Sequence, residues 1–344
     1  MNGIIIKGVG GLYCVRITDG AECGRDVFAR ARGIFRKEQI VPAVGDTVTL
    51  SRISENTHID FLEVDEEKGR RKGQINKADV EFVIEEIGER RNSLIRPAMA
   101  NLDYLFAVIP CMSPEPDLLT VDKLTAIAEN SGIEPVIIVN KSDLNPSKSE
   151  EIADVYRLAG YEVFRVSGET GEGTDELKAF IDRTAEKAGT DGIFVSGAFA
   201  GVSGAGKSTL MTRLFPTLDL KSGEVSRKTE RGKHTTRYVE LYPAVCENGT
   251  FWIADTPGFS MLDFNRFNFF PYDNLPSAFR EFDDCLGNCK FTKCTHLCED
   301  GCAVIEKMNG GFIAKSRHES YKRIFEEQRS VPEWKRRQEQ KPLW

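Results

Sequence analysis

Pro135–Asp143 reads PVIIVNKSD, and its reading decides the fold. The apolar, β-branched run PVIIV has no polar interruption, the pattern of a strand buried on both faces of a parallel sheet. It stops on Asn140-Lys141-Ser142-Asp143. Guanine presents an N1–H and an N2 amino group side by side, and one ionised carboxylate accepts from both. Adenine offers no such pair, so Asp143 is placed to select guanine nucleotides, and an unpaired buried carboxylate makes rejection of the wrong base strong. Asn140 and Lys141 would support that loop, contacting the base edge or the phosphate-holding segment.

A phosphate-holding segment lies downstream. Gly201-Val202-Ser203-Gly204-Ala205-Gly206-Lys207-Ser208 fits G-x-x-x-x-G-K-[ST] completely, after the apolar GIFVSGAFA and before the helical STLMTRLF that begins with Ser208 and Thr209. That strand, loop and helix context is what the motif requires. Glycines let backbone N–H groups turn inward around a β-phosphate at a helix N-terminus. Lys207 would reach the β- and γ-phosphates, and Ser208 would ligate Mg²⁺. Asp255-Thr256-Pro257-Gly258 follows the strand-like TFWIA, where Asp255 can hold Mg²⁺ through water and Gly258 can bring its N–H to the γ-phosphate. Between the two lies RGKHTTRYVELY, in which Thr235 or Thr236 can complete the Mg²⁺ shell. Beyond the base loop, VFRVSGETGEG puts Ser167-Gly168 at the end of a further strand, where the Gly168 N–H is placed to meet guanine O6.

The base-reading motifs thus precede the phosphate-holding ones, the reverse of the usual order in a G domain. A parallel sheet whose two ends lie close can be joined there and opened at an exposed loop, so the chain reads as a circularly permuted α/β P-loop domain. Strand and helix patterns alternate from Leu102 to Gly173 and resume toward Ala200, as such a sheet demands. From Met1 to about Ile95 the pattern changes to short alternating runs, among them GIIIKGVGGLYCVRIT, DVFARARGIF, GDTVTLSRI, HIDFLEV and VEFVIEEI, the signature of a small all-β barrel.

With 344 residues, 40% hydrophobic and 29% charged, the chain has material for two or three domains. No apolar run reaches the roughly 18–20 residues of a membrane span, and the N-terminus lacks a signal-peptide pattern. A cytoplasmic protein without membrane contact is expected. The net charge of −7 gives nucleic-acid binding no overall support, although Lys221–Arg237 and the tail from Lys315 are locally basic. Of nine cysteines, five fall between Cys285 and Cys302. Cys289-x4-Cys294-x-His296-x5-Cys302 supplies three thiolates and an imidazole, a set suited to closed structural Zn²⁺. On spacing alone Cys285 or Cys298 could replace a neighbour. Cys14, Cys23, Cys111 and Cys246 read as core residues.

The ordered set NKSD, VSG, GVSGAGKST, HTT and DTPG, with a β-rich region before it, the linker RRNSLIRPAMANLD, and a Cys/His cluster after it, closely resembles the ribosome small subunit-dependent GTPases, the RsgA/YjeQ family. The resemblance covers nearly the whole chain. It implies an OB-fold RNA-binding domain over 1–95, a permuted GTPase over 96–264 and a small, largely helical zinc-binding domain over 265–344. It also implies Cys289, Cys294, His296 and Cys302 as the zinc set, GTP with Mg²⁺, a role in late maturation of the small ribosomal subunit, and stimulation of hydrolysis by that subunit and its rRNA. Charged material around DEEKGRRKGQINKADVEF exceeds the family pattern.

Many regulatory G proteins carry a Gln after the D-x-x-G glycine to orient water; here the position is Phe259, so slow intrinsic turnover is expected. His234, directly before Thr235, is the candidate to place the water, giving a catalytic set of Lys207, His234 and Thr236. GTP would favour subunit binding and hydrolysis release, with the C-terminal domain moving relative to the OB-fold. Arg30, Arg32, Arg36, Lys37, Arg90 and Arg91 are candidate RNA contacts. Nothing in the sequence demands more than a monomer. The competing readings are a GTP-regulated scaffold with incidental hydrolysis and a P-loop ATPase with a zinc appendage, the latter opposed by Asp143.

Overall fold

The structure, a computed structural model, describes residues 1–37, 40–53, 80–94, 98–190, 194–218, 239–255 and 272–330. The HIDFLEV run, most of the additional charged segment, Gly258, Phe259, His234, Thr235 and Thr236 lie outside them, as do the side chains of Asp255, Arg36 and Lys37.

β1 (Asn2–Val9), β2 (Leu12–Ile17), β3 (Asp26–Ala31), β4 (Thr47–Arg52) and β5 (Phe82–Ile87) form the expected barrel. Their order is β1-β2-β3-β5-β4 with β4 returning to β1, which closes the sheet. Only β3 and β5 pair in parallel. Alternation along β2 sends Tyr13, Val15 and Ile17 inward and leaves Leu12, Cys14 and Arg16 half-covered, as a barrel with one solvated face requires. The β-like run DVFARARGIF stops being strand at Ala31. Its Gly33–Lys37 end is a short helix, α1, because Phe35 turns under to join the barrel core. Cys23, expected in the core, is exposed in the turn between β2 and β3.

The central domain contains β8 (Tyr104–Pro110), α2 (Leu118–Asn130), β9 (Glu134–Asn140), α3 (Pro146–Leu158), β10 (Glu162–Val166), α4 (Thr174–Thr190), β11 (Ser196–Ala200), α5 (Lys207–Leu214), β12 (Glu240–Cys246) and β13 (Gly249–Asp255). Between barrel and domain come the two-residue strands β6 (Ser93–Leu94) and β7 (Met99–Ala100). The spatial order is β10-β9-β8-β11-β13-β12, all parallel except β12. Strands 8 to 10 and strands 11 to 13 are two sequence blocks laid side by side and joined at β8–β11. The described NKSD, Ser167-Gly168 and phosphate loops therefore leave the carboxyl ends of the parallel strands β9, β10 and β11, where ligands of open α/β sheets bind.

β12, at the domain's edge, pairs with β1 at Lys7 and Glu240, so barrel and domain share one 11-stranded sheet. The linker residues are structural. Arg90 donates from Nε and Nη2 to the fully buried Asp46, each at 2.7 Å. Arg91 pairs with Asp103, and Asn92 exchanges side-chain hydrogen bonds with the backbone of Leu102.

The C-terminal lobe starts with 3₁₀ turns between Tyr272 and Cys285, then a cysteine-rich loop, α6 (Ala303–Asn309) and α7 (Lys315–Ser330). Phe279, Phe282, Tyr321 and Ile324 pack into one core with Leu124 and Ile127 of α2. Arg317 of α7, 1% exposed, donates to Asp122 at 2.7 Å and to Glu281 at 2.7 and 3.1 Å. Its guanidinium carbon lies 4.5 Å from the Phe279 ring centre. Burial alone would lower the Arg317 pKa, but Glu281 and Asp122 hold it well above the ordinary arginine value. No described helix is long and apolar enough to cross a membrane.

Candidate nucleotide and metal sites

The phosphate loop leaves β11, whose five residues are all buried. Gly201 has φ 143°, and a Cβ there would stand 2.2 Å from the Val108 carbonyl oxygen. Gly206 has φ 89°, and its Cβ would come within 2.4 Å of Asn140 Nδ2. Both positions accept only glycine, for conformation and for space. Lys207 opens α5 and folds back on its own loop, its Nζ donating to the carbonyls of Gly201 at 2.7 Å and Val202 at 2.9 Å. Burial pushes its ammonium below the usual lysine value, a cost that a polyphosphate would offset. Ser208 and Thr209 are exposed beside it, available to Mg²⁺ and phosphate.

Asn140, buried at the end of β9, joins three segments. Its Nδ2 donates to Ala205 O of the phosphate loop at 2.8 Å, and its Oδ1 accepts from Gly168 N at 3.0 Å. Lys141 adopts φ 64°, with its carbonyl held by the Cys111 thiol at 2.9 Å and its ammonium on Ser113 O. That turn leaves Asp143 exposed, open to a base. Ser167 is buried and its hydroxyl accepts from Thr170 N at 3.0 Å. The Gly168 N–H assigned to guanine O6 is bonded to Asn140 here, so a base would share it. A residue without a motif completes the arrangement: Arg213, in the last turn of α5, donates to the carbonyls of Gly168 and Glu169. Only its place near a helix C-terminus, where cations are favoured, could have marked it.

In the C-terminal lobe the ligand atoms of Cys289, Cys294, His296 and Cys302 lie within 4.8 Å of one another. His296 Nδ1 is 3.5 Å from the sulfurs of Cys289 and Cys302, which are 3.9 Å apart. A tetrahedral Zn²⁺ site with thiolates at about 2.3 Å has edges of about 3.7 Å, so the donor set and its spacing fit that metal. Cys298 is exposed and Cys285 is buried against the lobe's core, neither belonging to the group. His296 sits at φ 59°, and its carbonyl is bonded to His318 Nε2 at 2.7 Å. Glu299 accepts from the backbone N–H of Thr295, Leu297 and Cys298 and from the Thr295 hydroxyl. Burial would raise its pKa, but those bonds prevail and hold it at about 2.

The sequence pattern described as RsgA GTPase matches residues 87–265, and that described as RsgA N-terminal domain matches residues 2–58. The chain belongs to the RsgA GTPase family. It is a GTP hydrolase. Among its relatives, the small ribosomal subunit biogenesis GTPase RsgA of Ruminiclostridium cellulolyticum is 33% identical over 338 residues, covering 97% of this chain and 95% of that protein. The protein of the same name from Caldanaerobacter subterraneus is 36% identical over 329 residues, covering 95% of each chain. The crystal structure of YjeQ from Thermotoga maritima is similar with a TM-score of 0.70 and 27% identity, over 96% of this chain and 99% of that one. YloQ, described as a circularly permuted GTPase, gives 0.67 and 29% over 96% of each. The RsgA pattern for the GTPase begins at residue 87, within β5, so it includes the Arg90–Asn92 linker that seats the domain on the barrel.

Among the described residues, several arginines of the RsgA-type barrel are engaged in ion pairs. Arg32 is paired with Glu85, Arg25 with Glu22 and Glu81, and Arg16 with Asp26. Arg90 and Arg91 are engaged in the linker, and Arg30 is half-buried on β3.

Proposed function

We propose that this GTPase binds the small ribosomal subunit, hydrolyses GTP to GDP and phosphate during late subunit maturation, and leaves after hydrolysis. The observation that supports it is the near full-length similarity to relatives named for small-subunit biogenesis, together with a guanine loop and a phosphate loop tied by one side chain, Asn140. In this reading Asn140, Lys141, Asp143, Ser167 and Gly168 hold the base, while Gly201 to Thr209 hold the phosphates. Lys207 neutralises developing charge on the γ-phosphate, and Ser208, Thr235, Thr236, Asp255 and Gly258 complete the Mg²⁺ and γ-phosphate shell. Mg²⁺, when bound, supplies further neutralisation. Cys289, Cys294, His296 and Cys302 hold a structural Zn²⁺ with no position left for substrate. His234 orders the attacking water once the subunit is engaged, in place of the glutamine that Phe259 replaces. The protein acts in the cytoplasm as a monomer, and rRNA contact displaces carboxylates from the barrel's ion pairs.

The test is steady-state hydrolysis of GTP and ATP with and without purified small subunits. Slow GTP turnover, strongly stimulated by the subunit and absent with ATP, is expected. Tight GTP binding without stimulation would instead favour a GTP-regulated scaffold. His234→Ala should remove most of the stimulation while leaving GTP affinity intact.

A further inference from the structure

We infer that Arg213 is a positioning residue for guanine recognition, fixing the loop that meets the base's O6 edge to the helix that carries the phosphate grip. The inference rests on the reading of Asp143 and Gly168 as base contacts.

The Gly168 peptide is held on three sides. Its N–H goes to Asn140 Oδ1 at 3.0 Å, and its carbonyl accepts from Arg213 Nε at 2.7 Å. Its Cα face lies on α5, so closely that a Cβ would come within 3.2 Å of Leu210 N and 3.3 Å of Leu210 Cα. Arg213 then takes the next carbonyl as well, Nη2 meeting Glu169 O at 2.5 Å. Two successive carbonyls captured by one rigid, planar fork define the plane of the peptides between and after them. Because a peptide N–H points opposite to the C=O of the preceding residue, fixing the Gly168 carbonyl also fixes the direction of the Glu169 N–H, the amide next to that of Gly168 on the O6 edge, while the Thr170 N–H is already held by Ser167 Oγ at 3.0 Å.

α5 serves as the spacer. At 1.5 Å per residue, Arg213 stands about 9 Å along the axis from Lys207. An open cleft of about 580 Å³, lined by Ser208, Thr209 and Thr212 on one side and by Gly168 and Glu169 on the other, separates phosphate grip from base loop, and Arg213 is part of its lining. Asn140 ties the loop to the start of this segment and Arg213 ties it to the end. With the second tie removed, the loop keeps its Asn140 tie and its internal bonds to Ser167, and the Glu169 N–H beside Gly168 loses its fixed bearing toward O6. Asp143 sits on a different loop, after β9, held by Cys111 and Ser113, so its grip on the N1 and N2 donors is independent of Arg213.

That independence gives the test. Dissociation constants are measured for GDP, for the 2-aminopurine riboside diphosphate, which lacks O6, and for IDP, which lacks the 2-amino group. The proteins are the wild-type full chain, Arg213→Ala, Arg213→Lys and Asp143→Asn. Arg213→Ala should cut the preference for GDP over the 2-aminopurine nucleotide by up to about tenfold, the scale of one lost amide–carbonyl hydrogen bond. Its preference for GDP over IDP should stay within about twofold of wild type. Arg213→Lys, able to reach one carbonyl at a time, should fall between. An unchanged O6 preference, or an equal loss for all three nucleotides, would overturn the inference and leave Arg213 a purely structural residue. Should Arg213→Ala fail to fold, Arg213→Gln decides the same ratio. Asp143→Asn separately tests the underlying reading: if it leaves the preference for GDP over IDP unchanged, the base assignment fails whatever Arg213 does.

Discussion

The GTPase domain holds its two neighbours by different physics. At the barrel the strands of the two domains share one ladder step, Lys7 with Glu240, whose ion pair at 2.6 Å has side chains 40% and 31% exposed, beside the linker in which Arg90 clasps the buried Asp46. At the C-terminal lobe its Asp122 receives Arg317 of α7, which also holds Glu281 of the lobe, all nearly excluded from solvent. An exposed pair contributes little and can part with little loss, because water replaces each partner. A buried group of charges has no such exchange: separating it strands ions in the interior. The Arg317 seam should therefore resist separation of the C-terminal lobe from α2 more strongly than the Lys7–Glu240 pair resists separation of the strands it joins.

The largest effect that could break this contrast is at the metal loop. Cys302→Ser, or a strong chelator, should unfold the C-terminal lobe, since structural zinc contributes on the order of 10 kcal/mol to small domains. Metal content and circular dichroism report it, and a lobe that stays folded without metal would show that Arg317 and the aromatic core suffice. Next, Arg317→Ala should destabilise the chain by about 3–5 kcal/mol in denaturant unfolding. A loss below about 1 kcal/mol would place this seam with the exposed pairs.

Glu299→Gln comes third, at about 1–3 kcal/mol from its lost charge-assisted hydrogen bonds. Its folded pKa of about 2 lies below the ordinary 4.5. The stabilisation is thus fully present above about pH 4.5 and is lost as pH falls through about 2. The variant should lack that acid-side slope, and an identical slope in both proteins would remove Glu299 from the account. Smallest is Lys7→Ala, below about 1 kcal/mol and diminished further by salt. A loss matching Arg317→Ala would erase the difference between the seams.

The motif loops were legible because phosphate and guanine constrain chemistry locally: NKSD, the glycine pattern before Lys207, and the alternating elements around them each need only neighbouring residues. The permuted order was legible too, since it is the order of those motifs. What stayed hidden depends on partners far away in the chain. Arg90 and Arg91 looked like RNA contacts because nothing near them announces Asp46 and Asp103 as their acceptors. Arg317 sits in the polar run SRHESYKR, where a charged helix face reads as solvated, and only α2 reveals its burial. Spacing left Cys285 and Cys298 as rivals for the metal, and three-dimensional proximity removed both. Gly168 and Arg213 share this character, their relation being a contact between the loop after β10 and the last turn of α5.

The strand order has a consequence for the chain as it is made. Translation delivers β8, α2, β9, α3 and β10 before β11 exists, so the nascent base-reading half carries β8 with a bare edge on the side that β11 later occupies. The Asp122 face of α2 waits longer still, its partner Arg317 following 195 residues later. The central domain of this protein is finished from its far end, with the β8 edge bare until β11 is made and the Asp122 face of α2 uncovered until Arg317 follows.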